Sequence, residues 1–143
     1  GAYNLDERAM GFCDWFGKNN TVQNKAVSLT QKILAESIAD EVKKIIATYP
    51  DLAGICSVSV ETALLAKAVQ KAGLKQQIAV TGFDVVKDNR NGLLSGEIDA
   101  LIDQNPYEQG VLAVRQLFKK LVYEEDVEKE INMPIEIFLK ENV

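Results

Sequence analysis

Apolar side chains along this chain recur in two rhythms. Ile38, Val42, Ile45, Ile46 and Tyr49 return every three or four residues, which puts them on one helical face, and Pro50-Asp51 closes the run. Lys32 to Tyr49 therefore reads as an amphipathic helix, and Leu52 to Val58 as a short buried strand after it. Val60 to Ala72 carries Ala63, Leu64, Ala66, Ala68 and Val69 without a breaker before Gly73, which suits a helix ended by glycine. Ile78 to Thr81 predicts the next strand, Lys87 to Ser95 a short helix or turn despite Gly92, and Ala100 to Ile102 a short edge strand. Val111, Val114, Leu117, Phe118 and Leu121 mark a further helix. The alternation of Ile131, Met133, Ile135, Ile137 and Leu139 marks a final strand, which Pro134 confines to an edge or a crossing segment.

The beginning is less regular. Asn4 or Asp6 is placed to cap a helix holding Met10, Phe12, Cys13, Trp15 and Phe16, with Gly17 to Asn20 as its end. A strand near Val22 to Leu29 is interrupted by Gln23, Asn24 and Lys25. Helix and strand then alternate with connections of a few residues, the pattern of an α/β fold of three layers with a mainly parallel sheet and right-handed crossovers. At 143 residues the chain has room for one such domain with a real core.

Composition removes several function classes. Hydrophobic residues at 47% and charged residues at 26% describe a globular domain rather than a disordered one. No apolar run approaches the roughly 18 to 20 residues of a membrane helix, and Gly1 to Asn4 lack the basic-then-apolar form of a signal peptide. The formal charge is -5, and no basic cluster is denser than Lys119-Lys120, so these residues have no electrostatic footprint for nucleic acid. Cys13 and Cys56 sit among apolar neighbours and read as two buried thiols. Histidine is absent, which removes the commonest zinc ligand and the commonest general base.

Candidate chemistry gathers where the strands end. In Ile78-Ala-Val-Thr-Gly-Phe-Asp84 an apolar run leads straight to a carboxylate, as when a buried parallel strand delivers an acid to the rim where open α/β sheets hold ligands. Gln104-Asn105-Pro106 follows the next short strand, so its amides would come beside Asp84. Carboxylate and amide together accept from and donate to a polyhydroxylated ligand. Arg8 reads either as a solvated cation near a helix start or as a guanidinium fork reaching across a cleft. Ser57, Ser59, Glu61 and Thr62 lie where the second strand passes into its helix, with Ser59 a helix cap or a ligand contact. An enzyme of the glycosidase kind would pair Asp84 with Asp99, Asp103 or Glu61. No nucleophile elbow, Cys/His pair, phosphate loop, dinucleotide fingerprint or metal-ligand cluster occurs, so recognition without catalysis, cofactor or metal is the expectation. A protein-interaction module without a small ligand is the plainest alternative.

The same residues carry a family likeness. Arg8-Ala-Met-Gly-Phe12, Pro50-Asp-Leu-Ala-Gly-Ile55, Ala63 to Gly73, Val80-Thr-Gly-Phe-Asp84, Leu94-Ser-Gly-Glu-Ile98 and Gln104-Asn-Pro-Tyr-Glu-Gln-Gly110 stand in the order seen in LacI/GalR-type transcriptional regulators and type 1 periplasmic sugar-binding proteins, which the chain resembles. The resemblance implies two α/β lobes joined by three crossings around a small carbohydrate or polyol, with most of the second lobe present here. Residues 1–103 would be the lobe core, 104–130 a crossing segment and a helix that packs on the first lobe, and 131–143 the final strand and tail. It further implies ligand contacts from Arg8, Asp84 and Gln104, and from Ser59 where the family often has asparagine followed by aspartate. The first lobe and any helix-turn-helix module would precede Gly1, so operator DNA would be reached only through that segment. Without its partner lobe, Tyr107 to Val122 would fold back on this lobe or pack into a second copy, giving a homodimer. The ending Pro134-Ile-Glu-Ile-Phe-Leu-Lys-Glu-Asn142 looks more like a regulator's terminus, so the expectation is a cytoplasmic, sugar-responsive regulator, with a transporter-associated binding protein as the alternative.

Overall fold

The computed structural model describes residues 3–18, 37–75 and 77–143. The strand expected near Val22 to Leu29 and the first turn of the helix expected from Lys32 lie outside the described residues. The elements in chain order are helix α1 (Tyr3–Lys18), α2 (Ile38–Thr48), strand β1 (Gly54–Cys56), α3 (Thr62–Lys71), β2 (Ala79–Phe83), α4 (Lys87–Ser95), β3 (Ala100–Asp103), α5 (Pro106–Val122) and β4 (Glu136–Phe138). The strands lie side by side as β1-β2-β3-β4. The first three are parallel, and β4 runs antiparallel to β3 with Ile102 opposite Ile137.

Each step from β1 to β3 moves one place in the same direction, so right-handed crossovers put α3 and α4 on one face of the sheet. There α3 packs on α4, and α2 packs on α3. The core fills the space between this helical layer and the sheet: Val42 from α2, Leu65, Ala66 and Val69 from α3, Leu93 from α4, Val80 from β2 and Leu101 from β3 are all buried. Strand alternation explains the choice, since Val80 and Gly82 face the helices while Thr81 and Phe83 face the other side. Gly82 is required by contact with α3: a Cβ there would run into the Thr62 side chain, whose own Cβ lies 2.8 Å away. On the opposite side α1 approaches through Arg8 and contributes no buried residue, so the second helical layer is thin.

Several expectations are corrected in detail. α1 begins at Tyr3, so Asn4 and Asp6 lie within its first turn instead of capping it, and Arg8 falls in the second turn. β2 runs on to Phe83, two residues past the end of the apolar run. The final strand is shortened to Glu136–Phe138, beyond the proline that lacks a ladder donor. α3 takes Glu61 as its N-cap, with no side-chain cap, so Ser59 does not cap it. Cys13 and Cys56 are free and half-buried, not fully buried. α5 does not fold back: none of its residues is buried, and Leu117 and Leu121 are 59% and 70% exposed.

Candidate functional site

Three loops leave the carboxyl end of the parallel strands, and each brings one part of a polar cluster. β2 ends at Phe83, and the next residue, Asp84, adopts a left-handed backbone conformation (φ 67°) while its N–H still donates to the Ile102 carbonyl at 2.8 Å. Aspartate tolerates this region better than most residues, and the turn lifts its carboxylate off the ladder. β3 ends at Asp103, which acts as a brace. Its Oδ1 accepts the Val85 N–H at 3.1 Å, and its Oδ2 accepts the Asn105 N–H at 3.0 Å. The next residue, Gln104, donates from Nε2 to Asp84 Oδ1 at 3.0 Å, while Gln109 Nε2 donates to the Gln104 carbonyl at 2.7 Å. Asn105, also left-handed (φ 55°), caps α5 by accepting the Glu108 N–H, with Pro106 opening the helix.

Arg8 reaches this cluster from α1. One guanidinium nitrogen donates to the Val58 carbonyl at 2.8 Å, and another lies 3.6 Å from Asp84 Oδ1. The guanidinium carbon stands 4.2 Å from the centre of the Phe83 ring, a cation–π arrangement that holds the fork over the end of β2. The Arg8 side chain is 10% exposed and that of Asp84 27%. At 3.6 Å the pair is an ion pair without a bidentate bond, so the fork keeps donors to spare. Asp84 Oδ2 accepts no hydrogen bond from any described residue. The result is an open donor–acceptor surface: a carboxylate oxygen, a cationic fork and a side-chain amide within reach of one small molecule.

The arrangement joins Arg8, Asp84 and Gln104 and leaves Ser59 apart. Ser59 lies on the same loop as Val58, but its hydroxyl donates to the Glu61 carboxylate. The acids that offered a second carboxylate are engaged elsewhere. Asp99 pairs with Lys75 at 2.6 Å and accepts the Val80 N–H, Asp103 braces backbone, and Glu61 holds Ser59. Among the described residues no group of acids and cysteines is arranged to hold a metal ion. Sequence reasoning missed the Val58 carbonyl and the Phe83 ring as supports of Arg8. Only the apolar face of Phe83 at the strand's end was a legible signal.

A parallel sheet covered by α2, α3 and α4, closed by an antiparallel edge strand and carrying polar groups at its carboxyl end, is one lobe of the type 1 periplasmic-binding-protein fold. Residues 1–125 match the periplasmic binding protein domain family, and the chain belongs to it. Solved structures agree. An ABC transporter solute-binding protein from Burkholderia graminis C4D1M, in complex with D-arabinose, is 27% identical and superposes with a TM-score of 0.84 over 99% of this chain and 50% of its own. One from Agrobacterium vitis bound with alpha-D-tagatopyranose is 27% identical, with a TM-score of 0.83 over 96% of this chain and 46% of its own. A protein from Bacteroides fragilis described as a LacI transcriptional regulator shares the fold at 19% identity, with a TM-score of 0.79 over 96% of this chain and 47% of its own. The chain spans about half the length of these relatives. The likeness is therefore to transport and regulatory proteins alike, not to regulators in particular.

Proposed function

We propose that this chain supplies one wall of a cleft that binds a small neutral sugar or polyol, as part of a solute-binding protein of the transport type. The observation that carries the reading is the meeting of Arg8, Asp84 and Gln104 at the carboxyl ends of β2 and β3. Hydroxyls both donate and accept, and this cluster offers both: Asp84 accepts, while Arg8 and the Gln104 amide donate. A charged ligand would leave one member of the ion pair opposed; a polyol satisfies all three. The transport reading is supported by the 27% identity to two sugar-bound transport proteins, while the LacI-type protein, at 19%, shares the fold alone. The ligand binds by recognition, with no bond made or broken.

One wall gives weak affinity, because hydroxyls facing the open side stay in water and the site gains nothing from desolvation. Titration of the protein carrying both lobes with D-arabinose, D-tagatose and other pentoses and hexoses tests the reading. Saturable binding of a neutral sugar without DNA binding is expected. A sugar whose binding changes affinity for DNA would instead support the regulator, and no binding of any polyol would refute both.

A further inference from the structure

Asn89, on the first turn of α4, is 1% exposed and lies outside the cluster just described. Its amide is the meeting point of two of the three loops at the site. Oδ1 accepts the Ala63 N–H at 2.8 Å, and Nδ2 donates to the carbonyls of Val60 at 2.9 Å, Phe83 at 3.1 Å and Asp84 at 2.9 Å. The first two partners belong to the loop and helix start after β1, which also present the Val58 carbonyl that anchors Arg8. The last two belong to the left-handed turn that presents Asp84. Nothing about helix α4 requires an asparagine there. An apolar residue would pack, but three partly buried carbonyls and one buried N–H would lose their partner.

We infer that Asn89 is the positioning residue of the site: it fixes the distance between the loop that anchors Arg8 and the turn that carries Asp84. A planar amide of fixed reach ties both backbones to one rigid point on α4, so the separation of guanidinium and carboxylate is set before any ligand arrives. Asn89 touches no ligand itself. Its effect passes through the backbone at Asp84 and through the loop carrying Val58. The inference gives a structural cause for the geometry on which the proposed sugar site rests, but its first test needs no sugar.

That test follows the side-chain amide of Gln104 in nitrogen–proton NMR spectra of the 143-residue chain, because its bond to Asp84 reports where the carboxylate stands. Asn89→Ala is compared with Leu93→Ala, which empties a buried position on the same helix without touching a polar bond. The Gln104 signals are expected to move to the position of a free glutamine amide in Asn89→Ala and to stay in place in Leu93→Ala. Asn89→Asp keeps an acceptor for Ala63 and, as a carboxylate, donates to none of the three carbonyls. It serves if the alanine variant does not fold, with the same displacement expected. Gln104 signals unmoved in the folded Asn89 variant, or moved equally by Leu93→Ala, would overturn the inference. Because this outcome is read without ligand, it is separate from the sugar titrations: Asp84→Ala leaving sugar affinity intact would remove the ligand reading and not the role of Asn89.

Discussion

Asp84 is at once the acceptor for Gln104, the counter-ion of Arg8 and a residue in a backbone region that most side chains avoid. Hydrogen bonds to a charged group contribute about 1.5–3 kcal/mol each, so if Asp84 contacts the proposed sugar, its removal would weaken binding roughly ten- to hundredfold. Gly82 stands two positions earlier, against Thr62. Gly82→Ala has no room for its methyl group unless α3 moves off the sheet. A loss of about 1–3 kcal/mol in urea unfolding is expected, and an unchanged midpoint would contradict the close approach. Cys56, on β1, has its thiol pushed up from the ordinary value by burial, a shift that the Thr81 hydroxyl partly offsets. The thiolate is therefore scarcer at neutral pH than in the unfolded chain, and alkylation of Cys56 by iodoacetamide should be slower in the folded protein. The same shift means its stabilising contribution is complete below the unfolded thiol's titration and declines as pH rises toward the folded one. Equal rates for folded and unfolded protein at pH 7 would show that the thiol is not shielded.

Elements whose apolar residues repeat with one clear period were legible from the sequence. α3, read as Val60 to Ala72, is observed at Thr62–Lys71, whereas Lys87 to Ser95, read as a short helix or turn, proves to be helix α4 with Gly96 in the left-handed C-cap position. β2 outran its apolar signal because Gly82 and Phe83 continue the ladder without continuing the pattern. α5 starts at Pro106, before its first apolar marker, because proline at the first helical position is compatible with helix geometry. Asp84 and Gln104 were readable as site candidates since strand ends announce themselves. Asn89 was not: a polar residue among polar neighbours gives no periodic signal, and its partners Val60 and Phe83 are brought to it only by the fold. Two element-scale predictions follow from packing. Leu93→Ala, at a fully buried position between α4 and the sheet, should cost about 2–5 kcal/mol in thermal or chemical unfolding. Leu117→Gln with Leu121→Gln, on the exposed side of α5, should change stability by less than about 0.5 kcal/mol at concentrations where the chain is monomeric. A large loss there would mean that α5 is covered.

At the scale of the whole molecule, the described residues are packed unevenly. The core lies between the sheet and α2, α3 and α4, while α1 and α5 bury no residue and carry Trp15, Leu117 and Phe118 outward. The polar cluster stands between these two states of packing, reached by Arg8 from the thinly packed α1 and by Gln104 at the root of α5. A ligand that bridges Arg8, Asp84 and Gln104 therefore ties α1 and the start of α5 to the well-packed core, which links ligand binding to the order of the outer helices. The measurement that tests the central claim most directly is isothermal calorimetry of the full-length protein against a panel of neutral sugars, comparing the parent with Asp84→Ala. A saturable response to at least one sugar, weakened roughly ten- to hundredfold by the substitution while the fold is retained, is the predicted result. Identical sugar affinity in parent and variant would contradict it.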